Sequence, residues 1–335
     1  MDLLRRGTNV PLVLLSVVLS ACNSQGPTAP TVDLTPVAAP VAPLVPSALD
    51  VDTVLSFVSA ETGAPAGGVD VIVGGRWRFR TDGAGEVRLS ENVTLPASVE
   101  VSSPAYLLRE TVLRSREGLQ LSLWPSRSPT GLDEELTRML VYTEAAGGAP
   151  GALRLRRLSP ADGRVSIVPS RALQGDAAAM FAHEQAADAL TRATHGAIRF
   201  VLESQATSSI VVSTAVDGND PAMPNHAALT YRYLDGSQIS GARIVFVSRE
   251  VARMSAVVTH ELGHAFGLEH SSDPRDLMNP VVSGPKQLSL REVLTIDLML
   301  QRRPGNRFPD NDVDGASATS GRRVEVVACT GDAQP

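Results

Sequence analysis

His260-Glu261-Leu262-Gly263-His264-Ala265-Phe266-Gly267-Leu268-Glu269-His270 is the stretch on which the reading of this chain turns. His260 and His264 stand four apart, so on a helix both imidazoles project from one face and can hold a single ion. Glu261, one step round that helix, reaches a water beside the ion without taking a ligand position. Gly267 can adopt positive φ and end the helix sharply, which swings His270 back as a third ligand. Three neutral imidazoles leave one position of a tetrahedral Zn²⁺ open, the arrangement of catalytic rather than structural sites. The plainer reading, three histidines and a Glu decorating a core helix, would leave a charged Glu buried without a partner, and such burial is rare.

On the downstream side, Ser271-Ser272-Asp273-Pro274-Arg275-Asp276-Leu277-Met278-Asn279-Pro280 carries a methionine shortly after the third histidine. Leu288-Ser289-Leu290-Arg291-Glu292 follows, with further apolar positions up to about residue 303. Upstream, strands are predicted over 164–169, 198–203, 210–213, 227–234 and 244–247, with a helix over 176–194 capped by Asp176 and another from about 249. Strands and helices in this order predict a layered α+β or α/β structure with a sheet behind the histidine helix.

At these residues the sequence resembles the metzincin metallopeptidases, whose extended zinc motif is followed by a Met-turn. Within them the matrixin group fits best, because Ser271 follows the third histidine directly and Met278 and Pro280 fall where that group carries its turn. The resemblance implies an α+β fold: a twisted mixed sheet, an active-site helix and a Met-turn in which Met278 packs beneath the metal. It implies one catalytic Zn²⁺ on His260, His264 and His270, with Glu261 as the general base for water attacking a peptide bond. Val281 and Val282 would form part of a substrate pocket wall. The strand containing Ala227, Ala228, Leu229, Thr230 and Tyr231 takes the place of the family's edge strand, against which an extended peptide substrate would pair. The family's Cys-bearing pro-segment is missing, Cys22 having another role and Cys329 lying downstream, so thiol-held latency is not expected. His226 stands alone, without the His- and Asp-rich insertion of vertebrate matrixins. His183 and His195 read as surface or helix-terminus residues.

Before the catalytic region, residues 50–127 alternate with a period near two between frequent turns. Gly63-Ala64-Pro65-Ala66-Gly67-Gly68, Thr81-Asp82-Gly83-Ala84-Gly85 and Ser103-Pro104-Ala105-Tyr106 give this segment a resemblance to the small carboxypeptidase-regulatory-like β-sandwich. Its alternating arginines, 76, 78 and 80, read as a solvated face opposite Trp77 and Phe79. A linking helix with Leu132, Leu136, Met139 and Leu140 at helical spacing falls within 128–150, and a glycine-rich break precedes the catalytic domain at 151–303.

The N-terminus reads as an address. Arg5 and Arg6 precede an apolar run too short for a membrane span, which ends in Leu19-Ser20-Ala21-Cys22 and resembles a bacterial lipobox. Residues 1–21 are the expected signal peptide and Cys22 the lipidated first residue of the mature chain, exported and anchored to the cell envelope. Residues 22–49, rich in proline, form a linker that in polyproline II at ~3.1 Å per residue spans as much as roughly 80 Å.

The rest of the composition excludes more than it identifies. With 335 residues, 43% of them hydrophobic, the chain has ample material for packed domains. Two cysteines exclude a disulfide framework or a Cys-rich metal cluster. A net charge of -6 argues against a nucleic-acid partner. Asp310-Asn311-Asp312-Val313-Asp314-Gly315 copies the opening of a calcium loop, but Gly321 stands where its closing Glu is needed. Residues 304–335 are therefore expected to be a disordered acidic tail. The expected function is a lipid-anchored zinc endopeptidase acting on extracytoplasmic proteins; the rival is an adhesion or scaffold lipoprotein with a vestigial zinc site.

Overall fold

The computed structural model of the chain describes residues 47–144, 153–205, 209–215, 226–281, 287–312 and 322–330. The expected signal peptide, Cys22 and most of the proline-rich linker lie outside these residues, as do Val282, Asp314 and Gly321. No helix among the described residues is long and apolar enough to cross a membrane.

The first strands are β1 (Ala48–Leu49), β2 (Val54–Ser59), β3 (Asp70–Val73), β4 (Trp77–Arg80), β5 (Glu86–Arg88), β6 (Val93–Thr94), β7 (Ala97–Ser103), β8 (Tyr106–Leu113) and β9 (Gln120–Leu123). They form a three-stranded sheet in the order β5-β2-β9, a four-stranded sheet in the order β4-β3-β7-β8, and the short pair β1-β6. Alternation along β7 buries Ala97, Val99 and Val101 and exposes the residues between them. These join Leu55, Phe57, Val71 and Leu123 in one apolar core shared by the two larger sheets. The tight turn before β5 requires glycine: Gly85 sits at φ +73°, and a Cβ there would lie 2.4 Å from the Phe57 carbonyl oxygen.

Next come α1 (Glu134–Val141), β10 (Tyr142–Glu144), β11 (Leu153–Leu155), β12 (Arg157–Leu158), β13 (Arg164–Pro169), α2 (Arg171–Gln174), α3 (Ala177–Ala193), β14 (Arg199–Leu202) and β15 (Ser209–Ala215). The remaining elements are β16 (His226–Asp235), β17 (Gln238–Phe246), α4 (Arg249–Ala252), α5 (Ser255–Phe266), α6 (Leu290–Leu300) and β18 (Arg322–Thr330). The main sheet runs β14-β13-β15-β17-β16-β18, with β12 also pairing β17. The pairs from β14 to β17 are parallel, whereas β16 is antiparallel to both its neighbours, so the sheet is mixed.

Helix α3 starts where Asp176 accepts hydrogen bonds from the Ala178 and Ala179 amides. Its small residues Ala179, Ala182, Ala186, Ala187 and Ala193 recur on one buried face, which lets α5 pack closely. His183 also lies on that face. It is fully buried, with Nδ1 2.7 Å from the Ala179 carbonyl and its ring edge-on to Phe246, so the expectation of a surface histidine is corrected. His195 does follow the helix, at φ +50°.

Two further expectations change. The last parallel strand begins at Gln238, six residues before the predicted start, because the two-residue turn Gly236-Ser237 makes β16 and β17 a hairpin, with Gly236 at φ +61°. The segment after residue 303 is also not a solvated tail where it is described. Asp310 is fully buried between Arg302 and Arg109, and Asn306 bonds both Asp310 and Asp312. Residues 322–330 form the outermost strand of the main sheet. Charge composition suggested solvation, but the nearby Arg302 and the sequence-distant Arg109 supply the partners that make burial of Asp310 tolerable.

Candidate metal centre

Helix α5 is buried from Ala256 to Phe266, as expected of a helix apolar nearly all round and sandwiched in a core. Its polar residues therefore need partners from outside the helix. His260 Nδ1 lies 2.7 Å from the Leu277 carbonyl oxygen, and His264 Nδ1 lies 2.8 Å from that of Leu268. A carbonyl only accepts, so both Nδ1 atoms carry the proton and both Nε2 atoms present a lone pair in the neutral ring.

Those lone pairs converge. His264 Nε2 is 2.9 Å from His260 Nε2 and 3.1 Å from His270 Nε2. Burial, and then the neighbouring His260 and His270, holds His264 well below the ordinary imidazole range. Burial, reinforced by Arg232, takes His270 down to about 4. Neutral rings with facing lone pairs at these separations repel unless a cation lies between them. The donor set thus fits Zn²⁺, which takes imidazole nitrogens at ~2.0–2.1 Å.

Two glycines make the arrangement possible. Gly267, at φ +133°, closes α5 by donating to Gly263 O, and a Cβ on it would lie 2.1 Å from the Arg156 carbonyl oxygen. The chain can then turn within hydrogen-bonding distance of its own helix and bring His270 round. Gly263 leaves room for Met278, whose Sδ lies 2.7 Å from where a Cβ would stand. Met278 is fully buried and its carbonyl accepts from the Ser271 amide.

Glu261 points from the same helix. It is fully buried; Oε2 accepts from Thr230 Oγ1 at 2.5 Å, while Oε1 has no hydrogen-bond partner. Burial pushes its carboxyl up to about 7, with Cys329, Thr230 and Arg232 pulling it partly back. A carboxylate with one anchored oxygen and one open oxygen, poised near neutrality, is suited to accept and return a proton.

His260, His264 and His270 thus meet at one place, and Glu261, on the same helix as the first two, is held by Thr230 from β16. The rest of the expected substrate strand is also on β16, but that strand is not an edge: β17 lies on one side and β18 on the other. Its antiparallel outer partner carries Cys329, whose Sγ lies 3.1 Å from His260 Nε2 and 3.6 Å from His270 Nε2. The candidate ligand atoms of the three histidines and Cys329 all fall within 4.8 Å of one another.

Reading by motif alone missed several supporting residues. Arg232 is fully buried, donating to the carbonyls of His264 and Leu268 and pairing with Glu269 and Glu325. A basic residue on the same strand face as Thr230 was the available signal. Glu292 accepts from the Met278, Leu277 and Ser289 amides and closes a capping box with Ser289, whose S-x-x-E spacing is visible in the sequence. Asp276 ties Ser271, Ser289 and Arg291 together, fixing the chain after His270 to the start of α6.

Three histidines beside a buried carboxylate on a glycine-ended helix define the class of zinc-dependent hydrolases. The matrixin family model matches residues 169–296, a span holding the three histidines, Glu261 and Met278. This stretch is thus similar to the matrixin metallopeptidases, a family that uses zinc. No curated protein matches the chain.

Proposed function

We propose that the chain is a zinc-dependent endopeptidase that hydrolyses peptide bonds in extracytoplasmic proteins while tethered to the bacterial cell envelope through Cys22. The observation that carries this reading is the convergence of three histidine Nε2 atoms, with the buried Glu261 carboxyl on the same helix as two of them. His260, His264 and His270 would hold the ion, which when bound would supply Lewis acidity to polarise a carbonyl and acidify water. Glu261 Oε1 takes the proton of the attacking water and returns it to the departing amine, while Thr230 keeps Oε2 fixed. Met278 would form the apolar floor of a Met-turn, and Val281 part of the neighbouring substrate pocket.

Substrate would lie extended along β16, since that strand already supports a full-length antiparallel partner. The proline-rich linker and the β-sandwich before it would hold the peptidase away from the membrane. Metal analysis of the purified chain should return one zinc, lost in His264→Ala and kept in Glu261→Ala. Cleavage of a denatured protein, read after β18 is cut free of a folded chain, should vanish in Glu261→Ala. Zinc retention without any cleavage would favour a scaffold lipoprotein with a vestigial site, and absence of zinc would overturn the reading.

A further inference from the structure

We propose that Cys329 is a fourth ligand of this metal site and that β18 occupies the place of the substrate strand on β16, so that the intact chain is a latent, self-inhibited form. The inference rests on the zinc reading above and adds the regulation of that site. The thiol arrives from the C-terminal side, on a strand that completes the main sheet.

Three independent features converge on it. First, β18 is laid antiparallel along the whole of β16, from His226 opposite Thr330 to Asp235 opposite Arg322. An extended peptide cannot pair with the outer side of β16 while β18 is there. Second, alternation turns Val327 and Cys329 inward, both buried, while Val324 and Val326 are exposed. The irregularity between His226 and Ala228 sets Cys329 opposite Ala228, and a bulge of this kind re-aims a side chain. Third, the strand has an ionic anchor: Glu325 pairs with Arg156 and Arg232, and Arg232 also binds the carbonyls that shape the end of α5. Strand and metal helix therefore share a residue.

The chemistry follows from the donor set. Zn²⁺ binds thiolate sulfur at ~2.3 Å, and a His₃Cys shell is closed in the manner of structural sites, with no position left for catalysis. On closing, the Cys329 S–H bond breaks, its proton passes to solvent, the sulfur–metal bond forms and water leaves. On opening, water returns to the metal and the thiolate takes up a proton. No oxidant or reductant is consumed, so withdrawal of β18 is by itself sufficient for activation.

The test uses the full chain loaded with Co²⁺ in place of zinc, with a sequence-specific protease site placed between Asp312 and Arg322 so that β18 is cut only after folding. The expected spectrum shows a thiolate-to-cobalt charge-transfer band that is lost in Cys329→Ser, persists in Cys22→Ser and disappears when β18 is cut and released. Peptide cleavage by the zinc form should rise about 100-fold on release, the gain when a form populated at ~1% becomes dominant. Should Cys329→Ser fail to fold, slow alkylation of Cys329 in the zinc form and fast alkylation after chelation carry the same distinction in the unaltered chain. Cobalt bound without the thiolate band overturns the inference and leaves the zinc reading intact. The band present with cleavage unchanged on release overturns the latency. Failure to bind cobalt or zinc at all defeats the underlying reading of the site instead.

Discussion

Replacing Gly267 with alanine is expected to destabilise the protein by about 3 kcal/mol, and the components can be separated. At φ +133° an alanine is strained, at a cost of about 1–2 kcal/mol for the wrong hand of backbone. Its Cβ would also stand 2.1 Å from the Arg156 oxygen and 2.9 Å from the Arg157 Cα, both backbone atoms that cannot swing aside. Relieving that overlap means displacing β12 or the end of α5, an overpacking cost of about 1–3 kcal/mol. The less flexible unfolded chain returns about 0.4–1 kcal/mol. Gly196→Ala supplies the control, because Gly196 has φ +76° with no atom within 4 Å of where its methyl would stand. It should lose about 1 kcal/mol or less. Urea unfolding of both variants, with zinc affinity measured alongside, gives the comparison; Gly267→Ala should also weaken zinc binding, since the turn it disturbs delivers His270. Equal and small losses in the two variants would refute the claim that the Arg156 carbonyl imposes glycine at the end of α5.

Arg232→Leu should cost about 3–5 kcal/mol in urea unfolding, because it leaves Glu269 and the His264 and Leu268 carbonyls without their buried donor; a loss under about 1 kcal/mol would show that solvent replaces it. Burial alone would raise Asp310, but Arg302 and Arg109 outweigh it and hold the carboxyl below its ordinary range. Its folded value lies below the unfolded ~3.9, so its stabilisation is present above about pH 4 and is lost as pH falls through the depressed folded value. Stability against pH for Asp310→Asn should therefore lack that part of the acid decline. Glu292→Gln should lower stability by about 1–3 kcal/mol through the weakened bonds to the Met278 and Ser289 amides, with thermal unfolding as the readout.

The centre of the site was legible because its signal is local. His260 and His264 share a helical face, Gly267 marks the helix end, and Asp176 announces the start of α3. What escaped depends on partners brought together from far along the chain. His183 looks like any helical histidine until Phe246 packs against it. Asp310 looks solvated until Arg109, some two hundred residues earlier, is placed beside it. Cys329 had no role in one dimension because nothing in residues 322–330 states which strand they will pair with. Val324, Val326 and Val327 are β-branched and suit a strand, but the segment has no clear polar-apolar alternation to set it on one face of a sheet. The Asp235-Gly236 pair was a hairpin signal that local reading could have used to extend β17.

Three histidines of one short stretch converge where a zinc ion would sit. X-ray absorption at the zinc edge of the full chain tests this most directly, because scattering from imidazole rings is distinguishable from that of oxygen ligands. The expected shell is three imidazole nitrogens at ~2.0–2.1 Å and one sulfur at ~2.3 Å. A shell dominated by oxygen, or a purified chain that holds no zinc, would contradict it.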